Sequence, residues 1–196
     1  GNENTAIGSN AGESVEGDEN TAFGVSAGKQ ITGSKNVSLG FNSAFLLKGD
    51  GNISAGDASG GSIHGDNNVM LGTAAKVKGS AAGNRISDTV LIGTKASASS
   101  SDNVAIGKEA QATHANSVAL GHLSQTREAK SETEGVISYE IGTDTKTYKY
   151  SGFAGTASGV VSVGSGVAGV GAERQIINVA PGAITSTSTD AVNGSQ

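Results

Sequence analysis

The feature that most restricts this 196-residue chain is a five-residue phrase that returns at a fixed interval. It reads Asn4-Thr5-Ala6-Ile7-Gly8, Asn20-Thr21-Ala22-Phe23-Gly24, Asn36-Val37-Ser38-Leu39-Gly40, Asn52-Ile53-Ser54-Ala55-Gly56 and Asn68-Val69-Met70-Leu71-Gly72, each copy beginning 16 residues after the last. After an irregular stretch it returns as Thr89-Val90-Leu91-Ile92-Gly93, Asn103-Val104-Ala105-Ile106-Gly107 and Ser117-Val118-Ala119-Leu120-Gly121, now 14 residues apart. So short and regular a period specifies stacked copies of one supersecondary unit, each covering its neighbour's apolar face.

Within each phrase the residues three and one before the glycine are larger and mostly apolar, with a smaller or more flexible one between them. That period-2 alternation predicts a short strand whose buried face carries the larger pair. Three residues past the glycine a small side chain recurs (Ala11, Ala27, Ser43, Ser59, Ala75, Ala96, Ala110, Ser124), which implies close packing there. An aliphatic follows seven residues past the glycine in the 16-residue copies (Val15, Ile31, Leu47, Ile63) and five past it in the later ones (Val77, Ala98, Ala112). The two periods are therefore one design, differing by two residues in the second half of the coil. Each coil has room for two short strands and two turns and none for a helix, so the fold class is all-β, a parallel β-roll or solenoid. Parallel strands ordinarily need long crossovers; a solenoid avoids them because each strand pairs with its equivalent one rung along.

Glycine supplies 31 residues, roughly twice its usual ~7% share. With four Phe, three Tyr and no Trp a thick core is out of reach. The few aliphatics of each coil return less free energy than ordering the coil costs, which points to further apolar contact between copies of the chain. The absence of cysteine excludes disulfides and thiolate metal sites. A net charge of −5 with scattered Lys and Arg argues against nucleic-acid binding. No 18-residue apolar run offers membrane contact within this segment. The chain opens on glycine without a signal peptide and stops in mid-pattern, and it is read as a piece of something longer.

The pattern breaks in two places. Between Gly79 and Gly93 lie seven residues more than the 14-residue scheme requires, including Ala81-Ala82-Gly83-Asn84-Arg85, which reads as a small loop. After Gly121 the phrase next recurs as Val160-Val161-Ser162-Val163-Gly164, so about 29 residues are inserted. The insert holds two alternating segments, Val136 to Ile141 and Lys146 to Tyr150, joined by Gly142-Thr143-Asp144-Thr145, and predicts a β-hairpin. Tyr139, Tyr148, Tyr150 and Phe153 gather here. They form a candidate surface-binding patch, or alternatively large rings that cover the end of a thin solenoid. Near the end of the chain Thr189 and Asp190 are good N-caps and predict the start of a helix. The expected divisions are a repetitive head at 1–121, a head insertion at 122–159, a last coil and connector at 160–172, and a final segment at 173–196.

The repeats Asn-x-x-[Ile/Leu]-Gly-x-x-Ala, the stretch His114-Ala115-Asn116-Ser117-Val118-Ala119-Leu120-Gly121, and above all Glu173-Arg174-Gln175-Ile176-Ile177-Asn178-Val179-Ala180 followed by Thr189-Asp190-Ala191-Val192-Asn193 resemble the head and neck of YadA-like trimeric autotransporter adhesins, surface fibres of Gram-negative bacteria. The resemblance implies a left-handed β-roll, three chains side by side as a homotrimer, and a neck that exchanges chains to narrow the head onto a coiled-coil stalk. It implies neck roles for Arg174, Ile176, Ile177, Asn178, Val179, Asp190 and Val192, with Ile184 adding apolar contact and Glu173 pairing with Arg174 between chains. It also implies an outer-membrane-anchored fibre at the cell surface whose head attaches to extracellular matrix protein, host cells or abiotic surfaces. The 16-residue coils and the extra residues from Gly166 to Gly171 depart from the family's usual pattern and put the register in question.

Other functions fit less well. His64, His114 and His122 sit on expected turns with no metal-ligand spacing and no partnering acid, so neither catalysis nor a cofactor is expected. Asp50, Asp57 and Asp66 lie among glycines as in calcium-binding nonapeptide rolls, but a period of 16 is not a multiple of nine. A hexapeptide-repeat acyltransferase needs coils in multiples of six, which neither period supplies. A structural spacer that holds another domain away from the cell is the alternative to an adhesive head.

Overall fold

The computed structural model describes all 196 residues. Its strands are β1 (Thr5–Ile7), β2 (Thr21–Phe23), β3 (Val37–Leu39), β4 (Ile53–Ala55), β5 (Val69–Leu71), β6 (Lys76–Val77), β7 (Val90–Ile92), β8 (Ser97–Ala98), β9 (Val104–Ile106), β10 (Gln111–Ala112), β11 (Val118–Leu120), β12 (Glu134–Ile141), β13 (Asp144–Ser151) and β14 (Val161–Ser162). There is no α-helix, and hence no helix long and apolar enough to cross a membrane. The chain divides into two compact units, Gly1–Glu128 with Gly159–Arg174, and Ala129–Ser158 with Gln175–Gln196.

The first unit is a β-solenoid. Its motif strands form a nine-stranded sheet in the order β1-β2-β3-β4-β5-β7-β9-β11-β14. Every pairing is parallel and places equivalent residues side by side: Val37 with Ile53, Met70 with Leu91, Ile92 with Ile106. The recurrence at Val160 joins the same sheet, with Val161 beside Val118. A second sheet, β10-β8-β6, lines the other half of the later coils. In the earlier coils that half is reduced to single bridges running Glu16, Thr32, Lys48, His64. The difference between the two coil lengths is visible here. Coils of 16 residues pass through alternate left-handed residues, such as Ser26, Gly28 and Gln30 at φ of 54°, 60° and 61°. Coils of 14 residues run extended through the same region and gain a strand.

The buried face of the motif strands is the reverse of the one the alternation predicts. The middle residue points inward: Ala22, Ser38, Ser54, Met70, Leu91, Ala105 and Ala119 are buried, while the flanking residues are exposed or half-buried. The reason is space. A Cβ added to Gly28 would lie 3.0 Å from the Ala22 Cβ across the coil, so the first four coils carry alanine or serine there, and larger side chains enter only with Met70 and Leu91. The remaining interior is filled as expected, by the small residues after the glycine (Ala27, Ala75, Ala96, Ala110) and by Ile31, Leu47, Ile63, Val77, Ala98 and Ala112. The loop after Gly79 returns Ile86 to this core, 1% exposed.

Asparagines form a polar spine along one corner of the solenoid. Asn36 accepts at Oδ1 from the Asn52 backbone N–H at 2.9 Å and from Asn52 Nδ2 at 3.1 Å. Its own Nδ2 donates to the Gly49 carbonyl at 2.9 Å. The same contacts link Asn20 to Asn36 and Asn52 to Asn68, and the run ends on Thr89. These side chains are buried and satisfied, as buried amides must be.

The second unit holds the hairpin β12–β13 and the segment 175–196. The hairpin is antiparallel and in full register from Glu134–Ser151 to Ile141–Asp144. The helix expected from Thr189 does not form: residues 189–196 contain only a turn. The Thr189–Asp190 signal instead serves a loop, in which Asp190 Oδ2 accepts from the Ala183 N–H at 3.0 Å.

Candidate functional site

The inward turn of the small residues leaves the larger ones outside, and this creates the most extensive apolar surface of the solenoid. Along the nine-stranded sheet the residue before each motif glycine forms a stripe: Ile7, Phe23, Leu39, Ala55, Leu71, Ile92, Ile106, Leu120. Phe23 is 57% exposed and Ile106 39%. A parallel column of Val37, Ile53, Val69, Val90, Val104 and Val118 runs beside it. Strands in a parallel sheet are about 4.8 Å apart, so the stripe runs for roughly 34 Å. A continuous apolar strip of that length exceeds what a monomer normally leaves in water.

Where the last coil ends, Arg174 closes the solenoid. Its guanidinium donates to Ser124 Oγ at 3.1 Å and to the carbonyls of Val163, Ala172 and His122 at 2.7, 2.8 and 2.8 Å. Within the chain Glu173 Oε1 accepts from Ser165 Oγ at 3.3 Å. A planar cation with five donors can satisfy several carbonyls that a following coil would otherwise have bonded.

The other neck candidates, beyond Arg174, lie together in the second unit. Ile176, Ile177, Asn178 and Val179 run opposite Ala191 to Gly194 and enclose a groove of about 460 Å³. Asn193 Nδ2 ties the two runs through the Val179 carbonyl at 3.0 Å. Asn178 adopts φ 61°, which turns the chain. Ile176, Ile177 and Ile184 are each about 70% exposed and Val192 is 56% exposed, so their apolar surface has no cover within one chain.

The hairpin separates its side chains by face. Gly135, Ile137, Tyr139 and Ile141 share one face with their partners Tyr150, Tyr148, Lys146 and Asp144. The Tyr139 and Tyr148 rings stack at 5.8 Å and Tyr150 meets Phe153 edge-on at 5.4 Å. The Tyr139 hydroxyl donates to that of Tyr148, a hydrogen bond that holds its proton above the ordinary phenol range. A Cβ on Gly135 would collide with the Tyr150 ring, so the ring covers the bare glycine backbone. Apart from Val136 the opposite face is polar, with Glu134 and Lys149 at 3.5 Å and Ser138 hydrogen-bonded to Thr147. All four aromatic residues singled out from the sequence are thus brought together, and all are exposed.

Sequence reasoning missed two features: the outward direction of the aliphatic stripe and the asparagine spine. The second was signalled by Asn recurring at 4, 20, 36, 52 and 68. No group of His, Asp and Glu is arranged to hold a metal ion.

Residues 175–196 match the family model described as the coiled stalk of trimeric autotransporter adhesin. Among solved structures the chain is similar to the C-terminal YadA-like domain of a Burkholderia pseudomallei protein, at 40% identity and a TM-score of 0.38, over 57% of this chain and 45% of that one. It thus spans less than half the length of that relative. It is also similar to the collagen-binding domain of the Yersinia adhesin YadA, at 20% identity and a TM-score of 0.49, over 93% of this chain and 82% of that one. No match is found among curated protein sequences.

Proposed function

We propose that this chain is the adhesive head of a YadA-like trimeric autotransporter adhesin, a reading supported by the stalk match and the Burkholderia similarity, and that it attaches a bacterial cell to extracellular matrix protein, host cells or abiotic surfaces. Three copies stand side by side with their aliphatic stripes facing one another, so each solenoid gains from its sisters the apolar interior it lacks. The neck residues Arg174, Ile176, Ile177, Asn178, Val179, Asp190 and Val192 close the head and lead it into a coiled-coil stalk, and the fibre is anchored in the outer membrane beyond this segment.

The observation that carries this reading is the stalk signature at 175–196, which follows directly on a solenoid with an uncovered apolar stripe. A head held out on a stalk, with many equivalent rungs in triplicate, offers repeated weak contacts whose combined strength comes from multivalency. Collagen is the first ligand to try, since the similar Yersinia domain is a collagen-binding one. Beads coated with the trimeric chain should bind immobilised collagen, host cells or polystyrene more strongly than beads coated with the monomer. Trimer-coated beads that remain inert across that panel would leave the head as a spacer.

A further inference from the structure

We infer that in the trimer the three hairpins join edge to edge into one closed six-stranded antiparallel sheet, with the tyrosine and isoleucine faces turned inward. The inference rests on the trimeric assembly proposed above and assigns the occupant of the hairpin's apolar face: the same face of the two sister chains.

Three observations carry it. First, a two-stranded sheet is marginal on its own in water, yet this one runs eight residues per strand and both of its outer edges lack a strand partner. Long open edges are normally covered or removed by closure. Second, the apolar face presents Ile137, Tyr139, Ile141, Tyr148 and Tyr150, each at least 41% exposed, whereas the other face is polar apart from Val136. A face so divided has one side that requires cover. Third, the two edges differ in charge. β12 carries Glu134 and Glu140 and no cation; β13 carries Lys146 and Lys149 against the single acid Asp144. Setting β13 of one chain beside β12 of the next puts unlike charges together and makes a head-to-tail contact that closes after three copies. The strands then alternate in direction around the ring, as an antiparallel sheet needs. The charged pair Lys146 and Asp144 lies at the turn end of the inward face, where it stays in water.

The chain has no cysteine and no tryptophan, and all three tyrosines are in the hairpin, which makes the test specific. In the full chain held as a trimer, Ile137→Cys should be linked between chains by a short bis-maleimide, and Val136→Cys, on the outer face, should not. Tyrosine fluorescence of the unsubstituted trimer should be several-fold less quenched by acrylamide than that of the monomer. Equal linking at both positions, or tyrosines equally quenched in trimer and monomer, overturns the inference. A chain that is trimeric by light scattering but gives either of those results removes the closed sheet and leaves the proposed adhesive head standing. A chain that never forms trimers removes both.

Discussion

Two neighbouring residues in one coil should respond to substitution in opposite directions. Asn36 is buried and every polar atom of its side chain is bonded. Asn36→Ala strands the Gly49 carbonyl and the Asn52 N–H, and thermal unfolding should show a loss of about 3 kcal/mol, since each orphaned buried group costs ~1–3 kcal/mol. Ser38, two positions on, is buried with no partner for its hydroxyl, and alanine occupies the same position at Ala22 and Ala105. Ser38→Ala should therefore gain about 1 kcal/mol; a loss would mean that the hydroxyl has a partner. A third residue-level effect depends on pH. Burial raises the Asp66 carboxyl, but Arg85, hydrogen-bonded at 2.6 and 2.7 Å, and the Asp50 N–H together pull it below its ordinary 3.8. A folded-state value below the unfolded one gives stability that is present above the unfolded value and is lost as pH falls through the folded one. Arg85→Met should thus lower stability at pH 6, and the difference should shrink as pH falls below 3.8. Both side chains are about a third or more exposed, so the difference at pH 6 should be no more than about 1 kcal/mol.

The element that sets the architecture is the coil, and the motif glycine sets the spacing between coils. Gly40 has φ +119°, and a Cβ there would sit 2.8 Å from the Gly56 carbonyl oxygen on the next rung. Gly40→Ala combines an unfavourable backbone conformation with a clash along the ladder and should destabilise by more than about 2 kcal/mol. A cost near zero in denaturant unfolding would mean that the rungs are free to separate. At this scale the sequence was informative wherever local geometry decides the outcome. The period, the strand positions, the hairpin with its Gly142 turn and the return of the last coil at Val160 could all be read from spacing. What spacing does not encode is which side of a three-residue strand faces inward. Ala22 flanked by Thr21 and Phe23 reads as a gap between two buried residues, but the coil is so narrow that only the alanine fits. Alternation alone assigns the aliphatics to the core, because a single chain offers them no other cover. The capping signal at Thr189 and Asp190 likewise serves a loop, because the Asp190 carboxylate finds the Ala183 N–H as its donor.

For the whole molecule, the outward stripe and the uncovered neck isoleucines leave one chain with apolar surface that only other chains can cover. Burying the stripe against sister chains removes several large side chains per rung-pair from water, each contributing about 1.5–3 kcal/mol when fully covered. Ile92→Asp sets a charge in the middle of that stripe. It should weaken the assembly, because Ile92 points out of the coil into that stripe. The measurement that addresses the central claim most directly is sedimentation equilibrium of the chain over a wide dilution series, with far-UV circular dichroism recorded on the same samples. The account predicts a mass three times the 19.2 kDa of one chain, and loss of β-signal together with loss of mass on dilution, both shifted to higher concentration by Ile92→Asp. A fully folded species of single-chain mass at every concentration would contradict it.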